Sequence, residues 1–270
     1  MTSRTLANHT ILIAGVVFLF LPIVVMLMSS THSSGTLRTE GMQLLPGGAA
    51  QANYGRVFTL EAGFTDRVTA LQMLKNSLIL GLGTGVLTTA FSLCAAYTLV
   101  FFKLRWAGFV FWLTLVTLLF PLEARFINTF EVTSDLGLIN THLGLILPTL
   151  SLALGTFFYR QYFLTIPPSY LEASILDGAG PVRFFVDFIV PLSWPRTWAV
   201  FAISFIIGWN QYLWPLMIST DDSLYTMVRG IRLLGQNSGP GMAFVVLSIL
   251  PPLVLLFVFH RTYFTARSET

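Results

Sequence analysis

The sequence predicts an all-α integral membrane fold with six transmembrane helices, and three observations carry that expectation. Hydrophobic residues fill 54% of the 270 positions and charged residues only 10%, whereas a soluble domain carries about 25% charged residues. Mean hydropathy is +0.75. Six uncharged stretches, 10–28, 77–102, 106–122, 143–159, 197–218 and 242–259, approach or exceed the ~20 helical residues needed to cross ~30 Å of hydrocarbon.

Each stretch has its own reading. The first is longer than a signal-peptide core, contains Pro22 and is not followed by a small-x-small cleavage site, so it is read as a retained span. The second is interrupted by no charge at all, and its single Cys94 reads as a small buried hydrophobe. The third and fourth are short when cut at the charges, and the fourth is expected to extend back toward Leu136. The fifth carries two amides within Trp209-Asn210-Gln211-Tyr212-Leu213-Trp214-Pro215, placed just past the midplane if the helix starts near residue 197. Amides in hydrocarbon require partners, so this segment either bonds a neighbouring helix or faces a wet path. Prolines at 22, 148, 215, 251 and 252 read as structural kinks.

Orientation follows from the short connections. With the amino terminus inside, Arg4, Lys103, Arg105, Arg160, Arg183, Arg196, Arg261 and Arg267 are cytoplasmic, against seven basic residues outside. Most of those seven lie in one long loop, where charge has less say, and the Lys103-Leu104-Arg105 turn is strongly positive for its length. Both termini are therefore expected in the cytoplasm. Two hydrophilic regions remain, an outer loop at 31–76 and an inner loop at 164–195. In the outer one, Leu44-Leu45-Pro46-Gly47-Gly48 reads as a turn and Asn53-Tyr54 as the start of a helix or strand.

The inner loop is punctuated for two short helices. Ser169-Tyr170-Leu171-Glu172 fits a capping box, and Gly178 stops the first helix in a left-handed conformation. Gly180-Pro181 starts the second, and Pro191 is expected to end it. Within this loop, Glu172-Ala173-Ser174, Gly178 and Phe188-Ile189-Val190-Pro191 are spaced as EAA, three residues, G, nine residues, I-x-L-P. That spacing resembles the EAA loop of the permease subunits of binding-protein-dependent ABC importers, with Ser174, Phe188 and Val190 replacing Ala, Ile and Leu. The resemblance implies the type I ABC importer permease (MetI-like) fold. It also implies an ATPase-coupling role for Glu172, Ala173, Ser174, Asp177, Gly178 and Pro191. Residues 1–9 then form a cytoplasmic amino terminus and 10–270 a single transmembrane permease domain, with periplasmic loop 31–76 and cytoplasmic coupling loop 164–195.

Further stretches are similar to the carbohydrate permeases, in particular the maltose-type second subunits that carry glycerol phosphate. They are Gly208 to Pro215, Pro121-Leu122-Glu123-Ala124-Arg125, Thr129-Phe130-Glu131-Val132, Phe157 to Phe163 and the continuation of the loop through Arg183-Phe184-Phe185. The resemblance implies a substrate path through Arg125, Glu123, Trp209, Asn210, Gln211, Tyr212 and Trp214, with Arg125 the best-placed cation for a phosphate. The implied substrate is sn-glycerol-3-phosphate or a glycerophosphodiester, with a maltose- or trehalose-type oligosaccharide as the alternative.

Absences narrow the class. The chain has no G-x-x-x-x-G-K-[ST] phosphate loop, no H-E-x-x-H and no nucleophile elbow, and His9, His32, His142 and His260 sit at scattered span ends. The chain is therefore expected to be no enzyme and to hold no cofactor or metal, with ATP and Mg bound by a separate ATPase. Its net charge of +3 is too small and dispersed for a nucleic-acid surface. The expected partners are the bilayer, a homologous second permease, an ATPase dimer and a periplasmic or lipid-anchored substrate-binding protein, in the bacterial inner membrane. A self-contained secondary transporter or channel would place ionisable groups within its spans, and here charges keep to the ends.

Overall fold

The computed structural model describes residues 3–59, 68–120, 122–234 and 238–268, with backbone only for 3, 4, 6, 122, 123 and 260–268. Every regular element among the described residues is helical. Contacts divide the chain into two units, Met1–Leu74 with Tyr225–Pro251, and Lys75–Leu224 with Pro252–Thr270.

In the first unit, α1 (Ser3–Ser29) is one apolar helix, none of whose most apolar window is buried. That exposure is what lipid requires of a lone span. The chain then folds back on the end of α1. Ser33 caps α2 (Ser34–Thr39), and α3 (Ala50–Val57) follows the predicted turn, so the Asn53-Tyr54 signal is helical. The buried Asn53 amide donates to the carbonyls of Ser30 and His32, 2.8 Å each, and the Thr31 hydroxyl accepts the Gly47 N–H at 2.6 Å. The two Asn53 bonds supply partners to carbonyls just past the end of α1, where a helix leaves them open.

The second unit begins in α4 (Ala70–Phe101) and continues through α5 (Ala107–Val116), prolonged by one 3₁₀ turn, Thr117–Leu119. Next come α6 (Phe126–Asp135), α7 (His142–Ile146) and α8 (Leu152–Phe163). The inner loop holds α9 (Pro168–Leu176) and α10 (Pro181–Phe184), after which α11 (Val190–Trp209) and α12 (Leu213–Ile218) complete the unit's main helices. Of the remaining helices, α13 (Met227–Gly230) lies in the first unit and α14 (Gly239–Ser268) ends the chain.

All six stretches are largely helical, but not all six are helices long enough to span. Among the described residues four helices are long and apolar enough to cross a membrane: Ala7–Ser29, Ala70–Phe101, Pro181–Trp209 and Gly239–Phe259. A fifth is a pair, His142–Thr149 and Leu152–Phe163, bent by 50°. The bend sits where Pro148 removes an N–H and the chain passes through a 3₁₀ turn into an extended Leu150. The sixth is the shorter Ala107–Leu119.

Several local expectations are corrected. The fourth stretch does not extend back to Leu136, which is the C-cap of α6. Gly137 and Asn140 take positive φ there and reverse the chain before α7. The fifth stretch starts not at 197 but at Pro181, so the amides fall at its far end and not just past its middle. Pro191 does not end a helix either. Ahead of it Phe185–Ile189 forms one π turn in which the Val190 N–H reaches the Phe185 carbonyl. That wider turn takes up the register in which a proline would otherwise collide with the carbonyl four residues back. The capping box at Ser169 and Glu172 does not form, because Pro167 is already the N-cap and Pro168 the first helical residue. Cys94 is exposed, not buried.

Candidate functional site: a two-helix loop and a broken helix

The loop is built by its punctuation. At the end of α9 the Gly178 N–H bonds the Ile175 carbonyl at 3.0 Å and the Ala179 N–H bonds the Ser174 carbonyl at 2.9 Å, which is the Schellman arrangement. Gly178 has φ +74°, as the left-handed stop requires. Gly180 and Pro181 then start the next helix as the sequence predicts.

Ser174 is buried, and its hydroxyl donates to the Leu171 carbonyl at 2.7 Å, so serine serves in place of the second alanine without an unpaired polar atom. Glu172, Ala173, Asp177 and Gly178 are exposed. So are four apolar side chains that the sequence reading did not single out: Leu176 (88% exposed), Val182 (77%), Ile175 and Val186. On a loop read as lying outside the bilayer, apolar side chains exposed together mark a candidate protein contact. Their signal in the sequence was available, since Ile175 and Leu176 close a helix whose buried side already holds Ser174.

Three tyrosines tie this loop to the spans. Tyr97 of α4 donates to the Pro181 carbonyl at 2.8 Å, Tyr162 of α8 to the Leu192 carbonyl at 2.9 Å and Tyr159 to the Thr197 hydroxyl at 3.1 Å. Arg196 lies over the Tyr162 ring at 4.0 Å. Around them Phe163, Phe184, Ile189 and Leu93 form one buried cluster. The loop is thus bonded at its second helix and its exit, while its first helix packs Leu171 and Ser174 inward and leaves its other side exposed.

At the other end of the same helix, α11 stops at Trp209 and α12 begins at Leu213. The residues expected to line a path separate into two groups. Trp209 and Trp214 are buried, 2% and 1% exposed. Trp209 stacks on Phe205, with ring centroids 5.7 Å apart, and the Trp214 indole donates to the Gly144 carbonyl at 2.9 Å. They form the scaffold of the break. Asn210 is exposed and Gln211 and Tyr212 are half-buried. Gln211 shares a cavity of about 600 Å³ with Arg125, beside Thr117, Thr149, Ser151 and Ile207. The structure therefore brings to one cavity two residues of the expected path that lie 86 positions apart in sequence. The side chain of Glu123 lies outside the described residues.

A packing signal went unread. Gly81 and Gly85 of α4 form a G-x-x-x-G pair, and a Cβ at either would stand 2.8 Å from the ring of Phe205 or Phe201 of α11. A Cβ at Gly208 would stand 2.8 Å from Thr84. Glycine at these positions lets the two helices approach closely, as small residues do within membranes.

The family model described as the inner membrane component of binding-protein-dependent transport systems matches residues 4–268. The sn-glycerol-3-phosphate transport system permease protein UgpE of Yersinia pestis bv. Antiqua is 36% identical over 261 residues, covering 94% of this chain and 92% of the relative. UgpE of Salmonella typhi is 36% identical over 265 residues, and that of Escherichia coli O157:H7 is 34% identical over the same length, each covering 96% of this chain and 94% of the relative. Among solved structures, a chain of a bacterial ABC transporter involved in the import of the acidic polysaccharide alginate superposes with a TM-score of 0.76 at 21% identity, over 97% of this chain and 98% of the other. Six apolar stretches, the spaced loop and a match across nearly the whole length agree: the chain belongs to the inner membrane components of binding-protein-dependent ABC importers, with hydrolysis left to a separate subunit.

Proposed function

We propose that the chain forms half of the translocation path of an importer for sn-glycerol-3-phosphate or glycerophosphodiesters. On this reading it pairs with a homologous permease, docks on an ATPase dimer that binds ATP and Mg, and receives substrate from a periplasmic or lipid-anchored binding protein. The observation that carries it is the exposed side of α9, with Leu176 88% exposed at its last residue before the stop at Gly178. Apolar side chains displayed there, on a loop read as lying outside the bilayer, suit a groove on another chain.

Glu172, Ala173, Asp177 and Gly178 supply the rest of the docking face, Ser174 packs it, and Pro191 follows the π turn through which the loop joins its span. Residues 10–270 act as one permease domain, both termini are cytoplasmic, and 31–76 faces the binding protein. The substrate class is supported by the relatives of 34–36% identity. It is also supported by the guanidinium of Arg125 in a cavity with Gln211, Thr117 and Ser151, a donor set that suits a phosphate carried on a polyol.

The test is co-purification with Leu176→Asp. The tagged wild-type chain is expected to bring down a second permease and an ATPase, whereas the variant keeps the permease and loses the ATPase, and import of labelled sn-glycerol-3-phosphate stops. Retention of the ATPase by the variant refutes the docking face. Import of an oligosaccharide in place of the phosphate refutes the substrate class alone, and labelling of residues 169–190 from outside refutes the orientation.

A further inference from the structure

A second cavity, of about 560 Å³, lies between α4, α5 and α8 and shares no role with the loop or the break. Its walls are apolar, with Ala95 and Leu99 from α4, Val110 from α5 and Leu152 from α8. Its volume is that of a small-molecule site, about 300–1,000 Å³. Arg105 and Trp106 close one end, with the Arg105 guanidinium 5.5 Å from the indole centroid. Lys103, Arg105 and Trp106 are all exposed. On α8 the stripe Leu152, Thr156, Arg160 leads out of the cavity toward the same helix ends, and Arg160 lies 4.0 Å over the ring of Phe111.

The charge around this cavity has one sign. The segments that line it, Ala70–Phe101, the turn at 102–106, Ala107–Val116 and Leu152–Phe163, carry not one Asp or Glu, and their cations at the cavity's end are Lys103, Arg105 and Arg160, Lys75 lying about 30 Å away at the other end of α4. An apolar slot whose mouth holds cations and a tryptophan has the layout of the membrane interface, where indoles sit at headgroup level and basic side chains reach for phosphate. A neutral apolar helix would leave those cations without a counter-charge, while a soluble anion would leave the slot unfilled.

We infer that this cavity holds one acyl chain of an anionic phospholipid, with its phosphate on Arg105 and Lys103 and with Arg160 adding to the field. The occupant stabilises the short α5, which is too brief to span the hydrocarbon unaided, by thickening its contact with α4 and α8. Basic pockets between membrane helices bind acidic headgroups in this way.

The experiment uses the full chain in its purified complex, exchanged into micelles doped with either phosphatidylglycerol or phosphatidylcholine, with retained lipid counted by native mass spectrometry. Wild type is expected to retain phosphatidylglycerol in preference. The double variant Lys103→Gln/Arg105→Gln is expected to lose roughly 25-fold of that preference, about a factor of five for each cation. Ala95→Phe, which fills the slot while leaving the cations, is expected to release both lipids. Both substituted sites are exposed in the double variant, so an unchanged melting temperature separates lost lipid from lost fold. Equal retention of the two lipids by wild type overturns the inference. So does retention by the isolated chain that disappears in the assembled complex, which would assign the slot to the second permease.

Discussion

Gly178→Ala isolates a single backbone conformation at the point where the docking loop turns. The residue has φ +74°, and a Cβ built there meets no atom within 4 Å. Collision with neighbours therefore contributes nothing, and the whole penalty is the strain of an L-residue in the left-handed region, about 1–2 kcal/mol. That is a five- to thirtyfold loss of the ordered turn. Because the Schellman bonds are local and Gly178 itself is exposed, the loss stays within the loop. The expected result is a five- to thirtyfold weaker association with the ATPase, measured by titrating ATPase onto the permease pair in proteoliposomes, at an unchanged melting temperature. Gly178→Asn recovers most of the affinity, since asparagine tolerates the left-handed region. Wild-type affinity in the alanine variant refutes the conformational argument. An asparagine variant as weak as alanine refutes it too, by showing that the partner's close approach, and not φ, is what demands glycine.

Two further outcomes follow from the cavity and the helix crossing. Arg125→Ala is expected to raise the KM for an anionic substrate while leaving the amount of protein in the membrane unchanged, because the residue is exposed. Labelled uptake that is identical at every substrate concentration removes Arg125 from the path. Gly208→Ala brings a Cβ to 2.8 Å from Thr84 and 3.3 Å from the Leu80 carbonyl. Overpacking of this kind costs about 1–3 kcal/mol, read as a lower melting temperature in detergent. Adding Thr84→Gly, which removes the Thr84 Cβ and hydroxyl but not the Leu80 carbonyl, is expected to recover part of the loss.

The parts of this fold set by transfer into lipid were readable residue by residue. Composition alone locates the apolar parts of α1, α4 and α14, since each is long, uncharged and has no competing local signal. The Gly178 stop and the Gly180-Pro181 start were also readable, because φ and the missing N–H are properties of single residues. What failed was competition between neighbouring signals. Ser169 and Glu172 have the capping-box spacing, but Pro167-Pro168 initiates the helix two residues sooner. Pro191 carries a stop signal that one π turn cancels, and nothing in a linear reading announces a wider turn. The break at residues 210–212 was visible as polar atoms in an apolar run. Which of its residues face outward was not, because Trp209 and Trp214 share the amides' sequence but are taken into the core by Phe205 and the Gly144 carbonyl. The partnership of Gln211 with Arg125 depends on a tertiary approach with no sequence periodicity.

The two halves of the proposed site are the two ends of one element. From Pro181 the chain stays helical for 29 residues to Trp209, about 43 Å at 1.5 Å per residue. It begins in the docking loop and stops at the amides. Pro191 and Pro195 both lie in this run, yet the π turn ahead of Pro191 keeps it continuous. A displacement imposed at the loop is thus carried along a helix that does not terminate on the way. Near the far end, Gly81 and Gly85 of α4 meet Phe205 and Phe201, and Gly208 meets Thr84. Close backbone contact there leaves little room for sliding, so the crossing favours rotation about itself over translation. One residue beyond Gly208 the helix ends, and the Asn210 and Gln211 N–H groups turn back to the Ile206 and Gly208 carbonyls at 3.0 and 3.2 Å, so it is the side-chain amides there that need water or protein partners in a membrane. The cavity with Arg125 lies beside them. On the proposed coupling, a lever whose fixed point is next to its output end moves that end a short distance for a large travel at the loop, which suits opening and closing a path no wider than one substrate.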